Sequence, residues 1–239
     1  MSGGDAMPAE AAGAASSAHI AAAVASEARP AEDRARDAAR KPAEILAFAG
    51  VEPGDKIADL IPGGGYFTRV LAGAVGANGR VYAVIPPAGA SEMDWAGMIA
   101  PAAAAHANVT VHPQNYMQMT FPEPLDMVFT AQNYHDMHIA RYGMNAGQIN
   151  QAAFDALKPG GVYLIIDHSA VDGADMSVPE ALHRIDQAFV RAEVEAAGFV
   201  YEGASEVLRN PDDPRTANVF DPVIRGRTDQ FVLRFRKPG

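Results

Sequence analysis

Two short polar runs hold the side chains of this chain best suited to moving a proton: Asn133-Tyr134-His135-Asp136 and Asp167-His168-Ser169. Imidazole titrates near neutral pH and can take a proton from a hydroxyl, an amine or an activated carbon. A neighbouring carboxylate, Asp136 or Asp167, orients the ring or raises its basicity. Tyr134 offers a ring to stack on adenine or substrate, and Asn133 an amide for a polar ligand group. His135, Asp136, Asp167, His168 and Tyr134 are therefore the candidate catalytic residues. A lone histidine at a strand end is often a satisfied structural group. His135 stands out because it sits in a polar cluster directly after an apolar run. His19, His106, His112, His138 and His183 are read as structural. Two histidines and two aspartates suit a hard or borderline metal, but no His-Glu-x-x-His spacing supports one, and no metal is expected.

A glycine loop must lie close to these groups. The segment Asp59-Leu60-Ile61-Pro62-Gly63-Gly64-Gly65-Tyr66-Phe67-Thr68 reads as strand, tight loop and helix. Adjacent glycines let the backbone approach a ligand where a Cβ would clash, and the helix that follows aims free N–H groups at the same place. Aligned on Gly63 and Gly65, the sixth position of the dinucleotide fingerprint is Thr68, which argues against NAD and FAD; no P-loop is present. The acidic-x-Gly-x-Gly-x-Gly loop of S-adenosylmethionine (SAM) enzymes fits better, with Asp59, Gly63 and Gly65 in place and Ile61 where the first glycine would be. Candidate cofactor-binding residues are Asp59, Pro62, Gly63, Gly64, Gly65, Tyr66 and Thr68, with Asn115 and Asn133 further on. The second strand ends Ala83-Val84-Ile85-Pro86, without the carboxylate that usually grips ribose; Glu92 and Asp94 are the nearest substitutes.

The elements that carry these residues alternate. Helices are expected over 19–28, 30–40 and 43–49, the last ending at Gly50. Strands are expected over 56–61, 80–85, 108–112, 125–131 and 162–167. Helices over 67–75, 91–105 and 149–157 fall between them, and the last shows an i, i+3, i+4 stripe. Lys158-Pro159-Gly160-Gly161 reads as a turn and 178–197 as one long helix. Residues 199–207 and 230–236 read as a hairpin. This order predicts a Rossmann-like class I methyltransferase fold: a mostly parallel seven-stranded sheet, helices on both faces and a C-terminal antiparallel hairpin. In the expected 3-2-1-4-5 order, the two polar runs flank the crevice that the glycine loop lines.

Composition narrows the partners. The chain has 239 residues, 49% of them hydrophobic, and a net charge of -10. That suits one α/β domain over 51–239 with a helical cap over 19–50 and a disordered tail over 1–18. The acidic balance excludes a polyanion-binding surface, so a small-molecule substrate is expected and nucleic acid is not. Cysteine is absent, which removes thiolate nucleophiles and zinc-thiolate sites. No apolar run is long enough for a bilayer, so no membrane partner is expected. Without a recognisable secretory signal the chain reads as cytoplasmic, or periplasmic if an export signal was removed. Ten methionines and the N-terminal helices would also serve a homodimer contact.

The chain resembles a bacterial group of class I methyltransferase-like proteins over about residues 30–237. The resemblance rests on Arg40-Lys41-Pro42, Asp59-Leu60 with Pro62 to Thr68, Asn133 to Asp136, Ile166-Asp167-His168, Leu182 to Asp186, Leu208-Arg209-Asn210-Pro211 and Arg225-Gly226-x-Thr228-Asp229. It implies a SAM-dependent enzyme, and it adds Arg184 and Asp186, either surface charges of a helix or anchors of a lid over the crevice. It also adds the charged residues of the final loop, Arg209, Asn210, Asp212, Asp213, Arg225, Arg227 and Asp229. Arg36, Arg40 and Lys41 would cover the site and hold an anionic substrate. Two further readings stand beside methyl transfer. One is an isomerase, lyase or hydrolase on the same fold, using His135, Asp136, Asp167 and His168 for acid–base or metal chemistry. The other is a non-catalytic binding protein.

Overall fold

A computed structural model of the chain describes residues 18–239. The expected tail thus lies outside the described residues, except for Ala18, which is helical; residues 18–25 are described as helix α1. Three short helices follow: α2 (Ala31–Arg34), α3 (Asp37–Arg40) and α4 (Pro42–Ala49). The helix expected over 30–40 is therefore two. Asp33 is drawn into an ion pair with Arg69 (2.9 Å) and Asp37 into one with Arg29 (2.7 Å), and the chain turns between them. Gly50 ends α4 at φ 76°, as its position predicts.

Seven strands form one sheet: β1 (Lys56–Leu60), β2 (Arg80–Ile85), β3 (Val109–Pro113), β4 (Leu125–Ala131), β5 (Leu157–His168), β6 (Val200–Ser205) and β7 (Gln230–Arg236), in the order β3-β2-β1-β4-β5-β7-β6. The first five are parallel, and β7 runs antiparallel between β5 and β6. Alternate strand residues feed two cores. Ile57, Val81, Met127 and Phe129 pack with α4 and α5 (Tyr66–Val75) on one face, and α1 adds Ile20 and Ala23 to the same core. Ala58, Tyr82, Val128 and Tyr163 pack on the other face with α7 (Ala146–Ala156) and α9 (Gln187–Ala196). Burial on both faces explains why the parallel strands read as continuous apolar runs. Among the described residues no helix is long and apolar enough to cross a membrane.

Two further departures from the sequence pattern bear on the site. Lys158–Gly161, expected as a turn, belongs to β5: Gly160 N–H donates to Lys237 and Lys237 N–H to Gly161, so the ladder continues through the glycines. The helix expected over 178–197 is broken into α8 (Val178–Leu182) and α9, with His183 in the left-handed region at φ 55°. Three interactions impose the break. Ile185 exchanges backbone hydrogen bonds with His168 and Ala170 at the end of β5. Asp186 caps α9 by accepting from Phe189 N–H at 2.8 Å. Arg184, fully buried, forks onto Asp213 (2.8 and 3.2 Å) and donates to the carbonyls of Ala217 and Ser169.

Asp213 also accepts from Asp229 N–H at 2.7 Å, and Asp229 accepts from Asn210 N–H at 2.8 Å. The long connection between β6 and β7 is thus folded around two carboxylates and docked by Arg184. Removing one partner of a buried pair leaves the other charge uncompensated. Arg184→Met should cost about 3–5 kcal/mol, read as a lower urea midpoint. If the midpoint does not move, Arg184 is not the docking point of that connection.

Candidate active site

The carboxyl ends of β1, β4 and β5 lie side by side, where ligands of open α/β sheets bind. Asp167, at the end of β5, is fully buried. Its carboxylate accepts from His135 N–H (2.6 Å), from His168 N–H (2.7 Å) and from His135 Nδ1 (2.8 Å). Burial alone would raise the pKa of Asp167, but the His135 charge and these hydrogen bonds outweigh it and hold the carboxyl below its usual range. Burial likewise pushes His135 down, and the charges of Asp167 and Asp136 outweigh that and raise it. The pair is therefore an imidazolium-stabilising couple with Nδ1 committed to Asp167, so that Nε2 is the atom left for chemistry.

That atom borders a crevice of about 470 Å³ lined by Gln132, Asn133, His135, Asp136, Arg141, Tyr142, His168, His183, Val219 and Phe220. Asp136, raised to about 6 chiefly by burial, stands 3.3 Å from His135 Nε2. His183 reaches the same atom through Nδ1 at 3.3 Å, and the ring of Phe220 packs against the His183 ring at 4.9 Å between centroids. His168 is different in kind. Burial lowers it to about 4, so it is neutral at pH 7, and its Nδ1 is bonded to Thr228 Oγ1 at 2.7 Å.

Tyr134 is not part of the crevice. It is fully buried in the opposite core, and its hydroxyl donates to Glu193 (2.5 Å) and accepts from Asn150 (2.7 Å). Asn133 does border the crevice, and its amide donates to the carbonyls of Ala131 and Ile61, tying the end of β4 to the start of the glycine loop.

In that loop, Gly63 and Gly64 face open space: a Cβ built on either meets no atom within 4 Å. Gly65 is needed for packing instead, because a Cβ there would lie 2.7 Å from Ala102 Cβ. Ile61 takes the left-handed backbone that favours glycine, at φ 54°, a conformation that costs a side chain about 1–2 kcal/mol. Asp59 lies beneath the loop and accepts from Thr68 Oγ1 at 2.6 Å; burial raises its pKa to about 7. Tyr66 is buried under the N-terminal helices, bonded to Asp37 at 2.6 Å and covered by the Arg40 guanidinium at 4.4 Å from its ring. Arg40 begins a relay to the site: it donates to Gln132 (2.7 Å), Gln132 to Gln230 (2.9 Å), Gln230 to Thr228 (3.4 Å), and Thr228 meets His168.

The residues therefore fit SAM in part. The open backbone at Gly63 and Gly64 leaves room for its methionine end, whereas Asp59, expected among the cofactor-binding residues, is buried beneath the loop and spent on Thr68. At the ribose end β2 supplies no acid: Asp94 caps α6 (Trp95–Ala105) by accepting from Gly97 N–H, and Glu92 is exposed. Asn115 caps a short turn through Met117 N–H.

No family model and no curated protein sequence matches the chain. Solved structures do. A SAM-dependent methyltransferase from Aquifex aeolicus superposes with TM-score 0.59 at 19% identity, covering 85% of this chain and 93% of that one. The CcbJ methyltransferase from Streptomyces caelestis gives 0.59 at 15%, covering 85% and 90%. The [4+2]-cyclase SpnF gives 0.60 at 16%, covering 90% and 85%. The fold is that of class I methyltransferases, and it also carries a cyclase.

Six crevice residues, Gln132, Arg141, Tyr142, His183, Val219 and Phe220, do not stand among the candidates that residue type picks out; His183 sits at the break in the helix expected over 178–197, and Gln132 takes φ 65°. For His183 the signals were present in Asp186, a strong helix-capping type, and in the resemblance over Leu182 to Asp186. For Asp59, a raised folded-state pKa means that the folded chain holds the extra proton between about pH 4 and 7. Stability therefore falls as pH rises through that window. Asp59→Asn keeps an acceptor for Thr68 and should raise stability at pH 8 by up to about 4 kcal/mol, with no gain at pH 4. A variant less stable at pH 8 would contradict this account of Asp59.

Proposed function

We propose that the chain is a SAM-dependent methyltransferase acting on a small molecule, with His135 as the proton acceptor. The observation that carries this reading is the Asp167–His135 couple in a crevice whose Asn133 donates to the Ile61 carbonyl at the start of the glycine loop. The open backbone at Gly63 and Gly64, with Asn133 beside it and Asp59 bracing the loop from below through Thr68, would hold SAM, which supplies an electrophilic methyl group already activated by its sulfonium. The chain's own task is then to orient the acceptor and accept its proton. Asp167 fixes the ring of His135 and stabilises its protonated form. Tyr142, Val219 and Phe220 give the crevice an apolar rim and Arg141 a positive one, which suits a compact acceptor with an apolar body and an anionic substituent.

One observation favours a second reading. With no acid at the end of β2 and Asp94 used as a helix cap, the ribose grip common to SAM enzymes is missing. An isomerase, lyase or hydrolase would use the same couple for acid–base work without cofactor turnover.

Calorimetric titration with SAM and with its demethylated product separates the two. Saturable binding supports methyl transfer, and none at millimolar ligand removes it. If SAM binds, His135→Ala should lower turnover by roughly 10²–10⁴-fold with little change in SAM affinity. The base form of His135 is the active one, and its pKa is raised. The acid limb of the kcat/KM profile should accordingly have its midpoint above the ordinary histidine value of 6.5. Asp167→Asn, which removes the charge holding that proton, should move the limb to lower pH. An unmoved limb would exclude His135 as the titrating group.

A further inference from the structure

Three electron-pair donors converge on one point of the crevice. His135 Nε2 lies 3.3 Å from Asp136 Oδ1 and 3.3 Å from His183 Nδ1, and His183 Nδ1 lies 3.7 Å from Asp136 Oδ1. In the neutral ring, with Nδ1 donating to Asp167, Nε2 presents a lone pair toward the other two. Such a triangle of acceptors is electrostatically unfavourable unless a proton or a cation occupies it. We propose that His135 Nε2, Asp136 and His183 Nδ1 bind one divalent transition-metal ion, zinc by preference, with its remaining position open to the crevice.

The edges of the triangle select the ion. Zinc bonds of about 2.0–2.1 Å to nitrogen and oxygen put tetrahedral ligand atoms roughly 3.3–3.4 Å apart. An octahedral site with bonds of about 2.0–2.1 Å, as magnesium demands, would need edges of roughly 2.9 Å, shorter than all three observed. Two imidazoles with one carboxylate are a borderline donor set, which favours zinc and its neighbours over magnesium or calcium. Three protein ligands and one free position is also the pattern of catalytic rather than structural zinc.

Two independent features of the surroundings agree. The buried carboxylate of Asp167 on the far nitrogen of His135 is the outer-shell partner that metal-bound histidines commonly carry; it fixes the ring and strengthens Nε2 as a donor. His183 is presented by a left-handed residue at φ 55°, held between α8 and α9 by the buried Arg184 anchor. Backbone strain of this kind persists only where the surrounding structure imposes it. The ligands come from the segments after β4 and before α9, 48 residues apart for the two histidines, so no short motif marks the site.

Metal and proton compete for His135 Nε2, so the proton-acceptor role and its acid limb belong to the metal-free chain. In the loaded protein that atom is a ligand, and an acceptor oxygen entering the open position is made acidic by coordination instead. The inference rests on the crevice geometry alone and holds whether or not a methyl group is transferred there.

The test uses the full chain, stripped with a chelator, dialysed, and titrated with zinc chloride in the absence of SAM. One equivalent should bind, and cobalt(II) in its place should give the intense visible absorption of a four-coordinate nitrogen–oxygen site. His183→Gly, which suits the left-handed backbone, and Asp136→Asn should each weaken zinc binding at least tenfold. Asp167→Asn should weaken it by roughly 10–100-fold, with circular dichroism confirming that each variant is folded. No saturable uptake by the wild-type chain overturns the proposal. So does unchanged zinc affinity in whichever of His183→Gly and Asp136→Asn remains folded. A chain that takes up zinc but not SAM would keep this site and remove the methyltransferase reading.

Discussion

A buried negative charge organises the reactive end of this molecule. Asp167 has no access to solvent, and an isolated carboxylate in such a place would simply take up a proton. It stays ionised because two backbone N–H groups and an imidazole converge on it. Meeting that demand fixes the path of the chain after β4. His135 must offer both its amide and its ring to the end of β5, and Asp136 and Met137 are carried past in a tight turn. The orientation of His135, the tautomer it holds and the position of Nε2 are consequences of satisfying one carboxylate.

A second buried ion pair plays the matching role from the other side. Arg184 has no solvent contact and takes its acceptors from Asp213, Ala217 and Ser169. This draws the long β6–β7 connection against the segment between α8 and α9. His183, immediately before Arg184, has no freedom to follow the helix, and it turns toward His135 while Val219 and Phe220 close over it. The two buried charges lie at the ends of the same short parallel bridge, where Ser169 pairs with Ile185. A change at either one would be felt at the crevice through that bridge.

The parts of the fold that were legible in the sequence are those governed by local rules. β2 and β4 match the expected residues because each is an apolar run bounded by turn formers, Gly79 and Pro86-Pro87 in the first case. The ends of β4 and β5 were legible as a crevice because topology brings strand ends together regardless of detail, whereas the glycine loop, expected to line it, reaches it only through the Asn133 bond to Ile61. Tertiary demands decided the rest. Leu182, Ile185, Phe189 and Ala192 keep helical spacing across 182–192, which hides a break imposed by Asp213, 29 residues beyond Arg184. Tyr134 stands in a polar run, but Asn150 and Glu193 from two other helices give its hydroxyl partners in the interior. Sequence type marks a residue as able to do chemistry; it does not tell which face of a turn it occupies.

Ile61 draws these strands together. A β-branched residue at φ 54° is a true outlier, and glycine would remove the strain at once. Its side chain is nearly buried, in the same core as Leu60, Tyr82 and Val84, so the strain is set against apolar burial. Its carbonyl accepts from Asn133, which reaches over from the end of β4. The glycine loop is thereby coupled to the segment that carries His135 and Asp136. In a loop of flexible glycines alone, the open backbone at Gly63 and Gly64 would have no fixed relation to His135. A packed isoleucine at this position gives up conformational ease at one residue and fixes the loop against the end of β4.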